Sequence, residues 1–163
     1  MPRPSPEFAV TVSVLDRLID HEPQNTQEAM SSRSQSVRQL KEALRRDLEW
    51  LLNTRRIAFP PDEALKELGK SVYIFGLPDF TGYKASSPAE QSKLLRIIQS
   101  AVKLFEPRLA NVKVVPIDVG AQLSRTLRLR IEGLLMMDPA PEHITFDTVL
   151  QLTSGQYEVQ NAG

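Results

Sequence analysis

The chain has 163 residues, of which 41% are apolar, with 20 Lys and Arg set against 20 Asp and Glu and no cysteine. A domain of that length buries roughly 70% of the surface its unfolded chain exposes, so it holds a core without staples. The formal net charge of +0 leaves no whole-molecule field to steer nucleic acid or an anionic membrane. The absence of cysteine excludes disulfides, thiolate catalysis and Cys-ligated zinc, and suits a reducing compartment.

Met1-Pro2-Arg3-Pro4-Ser5-Pro6 predicts a flexible, Pro-rich lead-in over residues 1–9. It lacks the unbroken apolar core of a secretion signal, and no later run approaches the ~18 apolar residues needed to span a bilayer. The expected setting is the cytoplasm, with no direct membrane insertion. Val10, Val12, Val14, Leu15, Leu18 and Ile19 form a short apolar segment that suits strand or helix. Residues 21–36 are polar, with Pro23, Asn25 and several serines, and read as a loop or linker.

The clearest helix follows. Ser34 or Ser36 can cap it, and Val37, Leu40, Leu44, Leu48, Leu51 and Leu52 recur at three- and four-residue steps. Its other face carries Arg38, Lys41, Glu42, Arg45, Arg46 and Glu49. Acids are interleaved there and no aromatic is spaced to stack on bases, so a solvated face with pairs such as Glu42 to Arg46 is a simpler reading than nucleic acid. Trp50, a large aromatic among leucines, reads as core. Arg55 and Arg56 suit the helix C-terminal dipole and keep their guanidinium forks available to a partner. Phe59-Pro60-Pro61 breaks the pattern, and residues 62–69 look like one or two helical turns stopped by Gly69.

Residues 71–82 are apolar but punctuated by Gly76, Pro78 and Gly82. The Gly-Lys-Ser/Thr ending of a phosphate-binding loop is missing, so Leu77 and Phe80 are expected to plug a core. Ser87-Pro88-Ala89-Glu90 opens a helix with a cap, a first-position proline and a capping box. Its stripe of Leu94, Leu95, Ile97, Ile98, Ala101, Val102, Leu104 and Phe105 is wide enough to predict a largely buried helix. Pro107 puts Glu106 at the last helical position, on the negative end of the dipole. A Glu placed so poorly, with Arg108 two residues on, points to charges held by something outside the helix.

Period two then takes over. Val112 and Val114 alternate before Pro116, which marks an edge strand or a strand end. Leu127, Leu129 and Ile131 alternate with Arg128, Arg130 and Glu132. Ile144, Phe146, Thr148, Leu150 and Leu152 repeat the pattern, and Thr153-Ser154-Gly155 turns the chain back through Tyr157 and Val159. The expectation is an α+β fold, with helices in the N-terminal two-thirds packed on a C-terminal, mainly antiparallel β-sheet. A single domain spans residues 10–160, with a tail at 161–163.

No set of residues assembles an active site from spacing alone. His21 and His143 have no His or Cys companions at ligand spacing, so neither metal nor another cofactor is expected. No glycine-flanked nucleophile supports a Ser-His-Asp reading. Glycoside hydrolysis needs two carboxyl groups, and Glu106 is the candidate acid, but the neighbouring Arg108 favours its charged form when an acid must be protonated. An ion pair or a partner contact is the simpler role.

Three stretches in order, Arg46-Asp47-Leu48-Glu49-Trp50-Leu51-Leu52-Asn53-Thr54-Arg55-Arg56, Phe75-Gly76-Leu77-Pro78-Asp79-Phe80 and Phe105-Glu106-Pro107-Arg108-Leu109, carry a resemblance. They resemble the TssE-type baseplate subunits of the bacterial type VI secretion system, in the lysozyme-like family of phage baseplate wedge proteins. The likeness covers roughly residues 11–160. Phe75 departs from the tyrosine expected there and lacks its hydroxyl.

The resemblance implies a non-enzymatic structural part of a contractile injection machine, despite the lysozyme label. It implies TssF and TssG as wedge partners, the TssB/TssC sheath as the neighbour above, and TssK and VgrG within the same baseplate, docked at the inner membrane through other subunits. Glu106, Pro107 and Arg108 match the family's Glu-Pro-Arg motif, expected to be central to wedge assembly. A hairpin ending near Val159 suggests in addition an open sheet edge, at Tyr157 and Val159, that accepts a sheath strand. The alternative reading is a peptidoglycan glycosidase acting through Glu106.

Overall fold

The computed structural model describes residues 13–19, 33–59, 61–80, 87–117, 126–138, 140–151 and 154–161. Ser13 caps a short helix, α1 (Val14–Leu18), its hydroxyl accepting the Asp16 N–H at 3.2 Å. The apolar segment left open between strand and helix is therefore helical from Val14 to Leu18, with Ile19 extended at its end. Its residues at 10 and 12, the lead-in at 1–9 and most of the expected linker lie outside the described residues.

Helix α2 (Arg33–Asn53) begins inside the stretch expected to be a loop, so Ser34 and Ser36 fall in its first turn instead of capping it. Leu44, Leu48 and Leu52 are fully buried, as their spacing predicts. Trp50 is not core: it is 59% exposed, with the Arg46 guanidinium 5.8 Å from the ring centroid. Position 50 falls outside the buried stripe, where an arginine one turn back covers the ring. Arg46 turns away from Glu42, which instead meets Arg38 at 4.0 Å.

Beyond α2 the chain runs irregularly, with two short 3-10 helices, Lys66–Lys70 and Val72–Ile74. Gly69 lies within the first of them and does not end it. Leu77 and Phe80 are buried in the core as expected. The glycine before them is required, because Gly76 has φ 100 and a Cβ there would stand 2.3 Å from the Thr54 carbonyl oxygen. That close pass lets the Leu77 N–H donate to Thr54 at 2.8 Å and the Arg56 N–H donate to Leu77 at 3.0 Å.

Helix α3 (Pro88–Phe105) starts at the predicted cap, with the Ser87 hydroxyl accepting the Glu90 N–H at 3.4 Å. It buries Leu94, Ile98 and Val102 against the sheet, but Leu104 is 41% exposed. The helix is thus covered on one side only, packing on the first strand and touching α2. Glu106 ends it, as Pro107 dictates.

Four antiparallel strands follow in the order β1-β2-β3-β4: β1 (Leu109–Pro116), β2 (Thr126–Leu135), β3 (Glu142–Gln151) and β4 (Gln156–Asn161). The fold is α+β, helices first and sheet second. Leu129, Ile131, Phe146 and Leu150 point to the helices and are buried. The other face carries Arg128, Arg130, Glu132 and Asp147, with Arg130 Nε donating to Asp147 Oδ1 at 2.7 Å across paired strands. Pro116 closes an edge strand, as predicted, and a register shift between Ala110 and Lys113, with Asn111 at φ 54, bulges that edge.

Candidate functional site

Pro107 stops α3 and forces a two-residue turn into β1, which folds Arg108 back onto the residue that ends the helix. The Arg108 main-chain N–H donates to Glu106 Oε1 at 3.3 Å. Its side chain then engages both carboxylate oxygens, Nε to Oε1 at 2.6 Å and Nη2 to Oε2 at 2.5 Å. Such a forked pair is stronger than a neutral hydrogen bond. Glu106 is only 4% exposed, and a buried carboxyl group needs such hydrogen bonds to replace those it loses with water.

Arg108 also reaches α2. Its Nη2 donates to Asp47 Oδ2 at 2.6 Å, across 61 positions of sequence. Asp47 Oδ1 accepts from Arg46 Nε at 3.2 Å and Nη2 at 3.0 Å. Arg46 Nη2 stands 2.8 Å from Asp16 Oδ1 on α1, and the Ser13 hydroxyl donates to Asp16 Oδ2 at 2.5 Å. One ionic chain thus runs from the buried end of α3 through α2 to α1. The misplaced Glu106 of the sequence is held inside the fold.

The electrostatics follow the geometry. The Glu106 hydrogen bond, with Asp47 behind it, holds the Arg108 guanidinium above its already high range against the opposing effect of burial. Burial works against charge on Asp16, but the Ser13 and Arg46 hydrogen bonds outweigh it and hold that carboxyl below its usual range. As chemistry, the cluster is a brace. Both Glu106 oxygens accept from Arg108, and Asp47 shares that guanidinium instead of facing Glu106 across an open cleft, as a glycosidase pair would. Among the described residues no group of His, Cys, Asp or Glu is placed to hold a metal ion.

The other candidates lie apart. Arg55 Nη2 donates to the Gly155 carbonyl at 2.7 Å, tying the end of α2 to the β3–β4 turn. Arg56 lines a groove beside α3, and Pro107 is exposed at the turn. Tyr157 and Val159 have buried side chains, 3% and 2% exposed. Three of their main-chain groups are engaged by α2: Asn53 takes both groups of Tyr157, and Arg45 Nη1 donates to the Val159 carbonyl at 3.3 Å. At Tyr157 and at the Val159 carbonyl, helix side chains take the place a neighbouring strand would take along the edge expected to be open.

Asp47, Asp16, Asn53 and Arg45 were not read as site residues. Asp47 and Asn53 lie within the first of the three motif stretches, the one signal that could have marked them. Phe75, lacking the tyrosine hydroxyl, packs edge-on against Phe105 with ring centroids 5.1 Å apart.

Residues 38–140 match the family model described as baseplate wedge protein gp25. That span includes most of α2, all of α3, the Glu106-Pro107-Arg108 turn and the first two strands. A search of curated proteins finds no match to the chain.

Proposed function

The chain belongs to the gp25 family of baseplate wedge proteins, a structural family of phage-like baseplates, and from that premise we propose that it is the wedge subunit of a type VI secretion baseplate. In this reading it joins TssF and TssG to the first ring of the TssB/TssC sheath, within an assembly that also holds TssK and VgrG. It works on the cytoplasmic side; among the described residues no helix is long and apolar enough to cross a membrane.

The observation that carries the reading is the Glu106–Arg108–Asp47 brace. A part that links two assemblies must keep its surfaces in fixed relation under load, and a fully paired polar network rigidifies the elements it joins. Here it locks α2 to the junction of α3 and β1. The motif serves assembly by fixing the shape that partners meet, not by offering its charges to them. Occupation of both Glu106 oxygens by Arg108 also supports a non-enzymatic role.

Co-expression with TssF and TssG tests the proposal. The wild-type chain should co-purify with both, and Glu106→Ala should lose the complex together with a lowered melting temperature. Failure of the wild-type chain to co-purify would refute the wedge assignment, as would peptidoglycan turnover abolished by Glu106→Gln.

A further inference from the structure

Beside α3 a groove of about 660 Å³ runs between the helix and the chain that passes Arg56 and Gly76. Its lining spans Ala89 to Phe105, about 24 Å at the rise of an α-helix. Ile97, Leu104 and Phe105 form an apolar floor, and Leu104 is 41% exposed although it belongs to the same helix as the core residues. Among the described residues of the lining the charged ones are Arg56, Lys93 and Arg96, with no acid. That imbalance is local, since the whole chain carries a net charge of +0.

We propose that this groove docks an acidic amphipathic segment of a partner protein, its apolar side on Leu104 and Ile97 and its carboxylates toward Arg56 and Arg96. A segment of about 16 residues, if helical, matches the length of the lining. Apolar burial supplies the attraction, while the cationic rim sets orientation and rejects basic segments. Nucleic acid fits less well, because the floor is aliphatic over most of its length and presents no row of stacking rings. The inference stands on the groove alone and does not depend on the baseplate reading.

Selection of random peptides of about 16 residues displayed on phage, against the full chain, tests it directly. Ser100, exposed within the lining, is replaced by Trp in a groove-blocked variant used for counter-selection. The enriched pool should carry net negative charge with apolar residues at three- and four-residue steps. Arg56→Glu with Arg96→Glu should weaken those peptides about tenfold by fluorescence anisotropy, with an unchanged circular dichroism spectrum. A neutral or basic pool, no enrichment over the blocked variant, or affinity indifferent to the double reversal would each overturn the proposal.

Discussion

The side-chain amide of Asn53 pairs with both main-chain groups of Tyr157, Nδ2 donating to the carbonyl at 2.8 Å and Oδ1 accepting the N–H at 2.9 Å. It stands where a neighbouring strand would stand, so the last residue of α2 finishes the edge of β4. A strand joining the sheet there has to displace it. Asn53→Ala should cost about 1–3 kcal/mol in urea unfolding, because it leaves both groups of a strand residue without their partner. Hydrogen exchange separates the two bonds. The Tyr157 amide should exchange fast in Asn53→Ala and stay protected in Asn53→Asp, which keeps the acceptor.

The Tyr157 hydroxyl is buried with no hydrogen-bond partner among the described residues, and burial pushes its ionisation well above the usual 10.0, the nearby Arg55 only partly offsetting this. A raised value means that the folded state holds the proton after the unfolded chain has begun to lose it. Stability is therefore intact below about pH 10 and falls as the pH rises past it. Tyr157→Phe should leave stability equal or raised by about 1 kcal/mol at neutral pH, and should flatten the alkaline limb. A loss of stability on this substitution would show that the hydroxyl has a partner.

Asp16 gives the acid limb. Its carboxyl lies below the ordinary 3.8 in the fold, where the Ser13 and Arg46 bonds overcome burial. The stability it contributes is present above that ordinary value and is lost as the pH falls through the lower folded value. Trp50, the only tryptophan, reports on Arg46 directly, its ring centroid lying 5.8 Å from the guanidinium carbon. Its fluorescence should change as the pH falls below about 4 in the wild type, and Asp16→Asn should show the acid-form signal already at neutral pH.

Gly76→Ala tests the crossing that seats Leu77. The added Cβ meets the Thr54 carbonyl and the backbone is held at φ 100, so a loss of at least about 1–3 kcal/mol is expected. An unchanged urea midpoint would mean that the segment relaxes freely.

The order of helices and strands was legible because it is locally encoded. The Ser87 cap, the Pro107 stop and the two-residue alternation of β2 and β3 each act within a few residues. Local signals also placed Leu77 and Phe80 in the core. Exposure of Trp50 was not legible, since a leucine-rich neighbourhood does not say on which side of the buried stripe a ring falls. The poor position of Glu106 at a helix end signalled a charge held by something outside the helix, but Asp47, which shares its arginine, was out of reach of pattern reading. Asp47 is 61 positions away on another helix, and only tertiary folding brings the two together. The edge of β4 shows the same limit: a hairpin pattern says nothing of Asn53 and Arg45, the helix side chains that line part of it.

The central claim, that the Glu-Pro-Arg turn braces the fold from within, is tested most directly by a double-mutant cycle on Asp47 and Arg108 in the isolated chain. Urea unfolding of Asp47→Ala, Arg108→Ala and the double variant should give a coupling energy of about 1–3 kcal/mol. Zero coupling would contradict the brace, as would native stability in Arg108→Ala together with lost co-purification with TssF and TssG, which would return Arg108 to a partner interface.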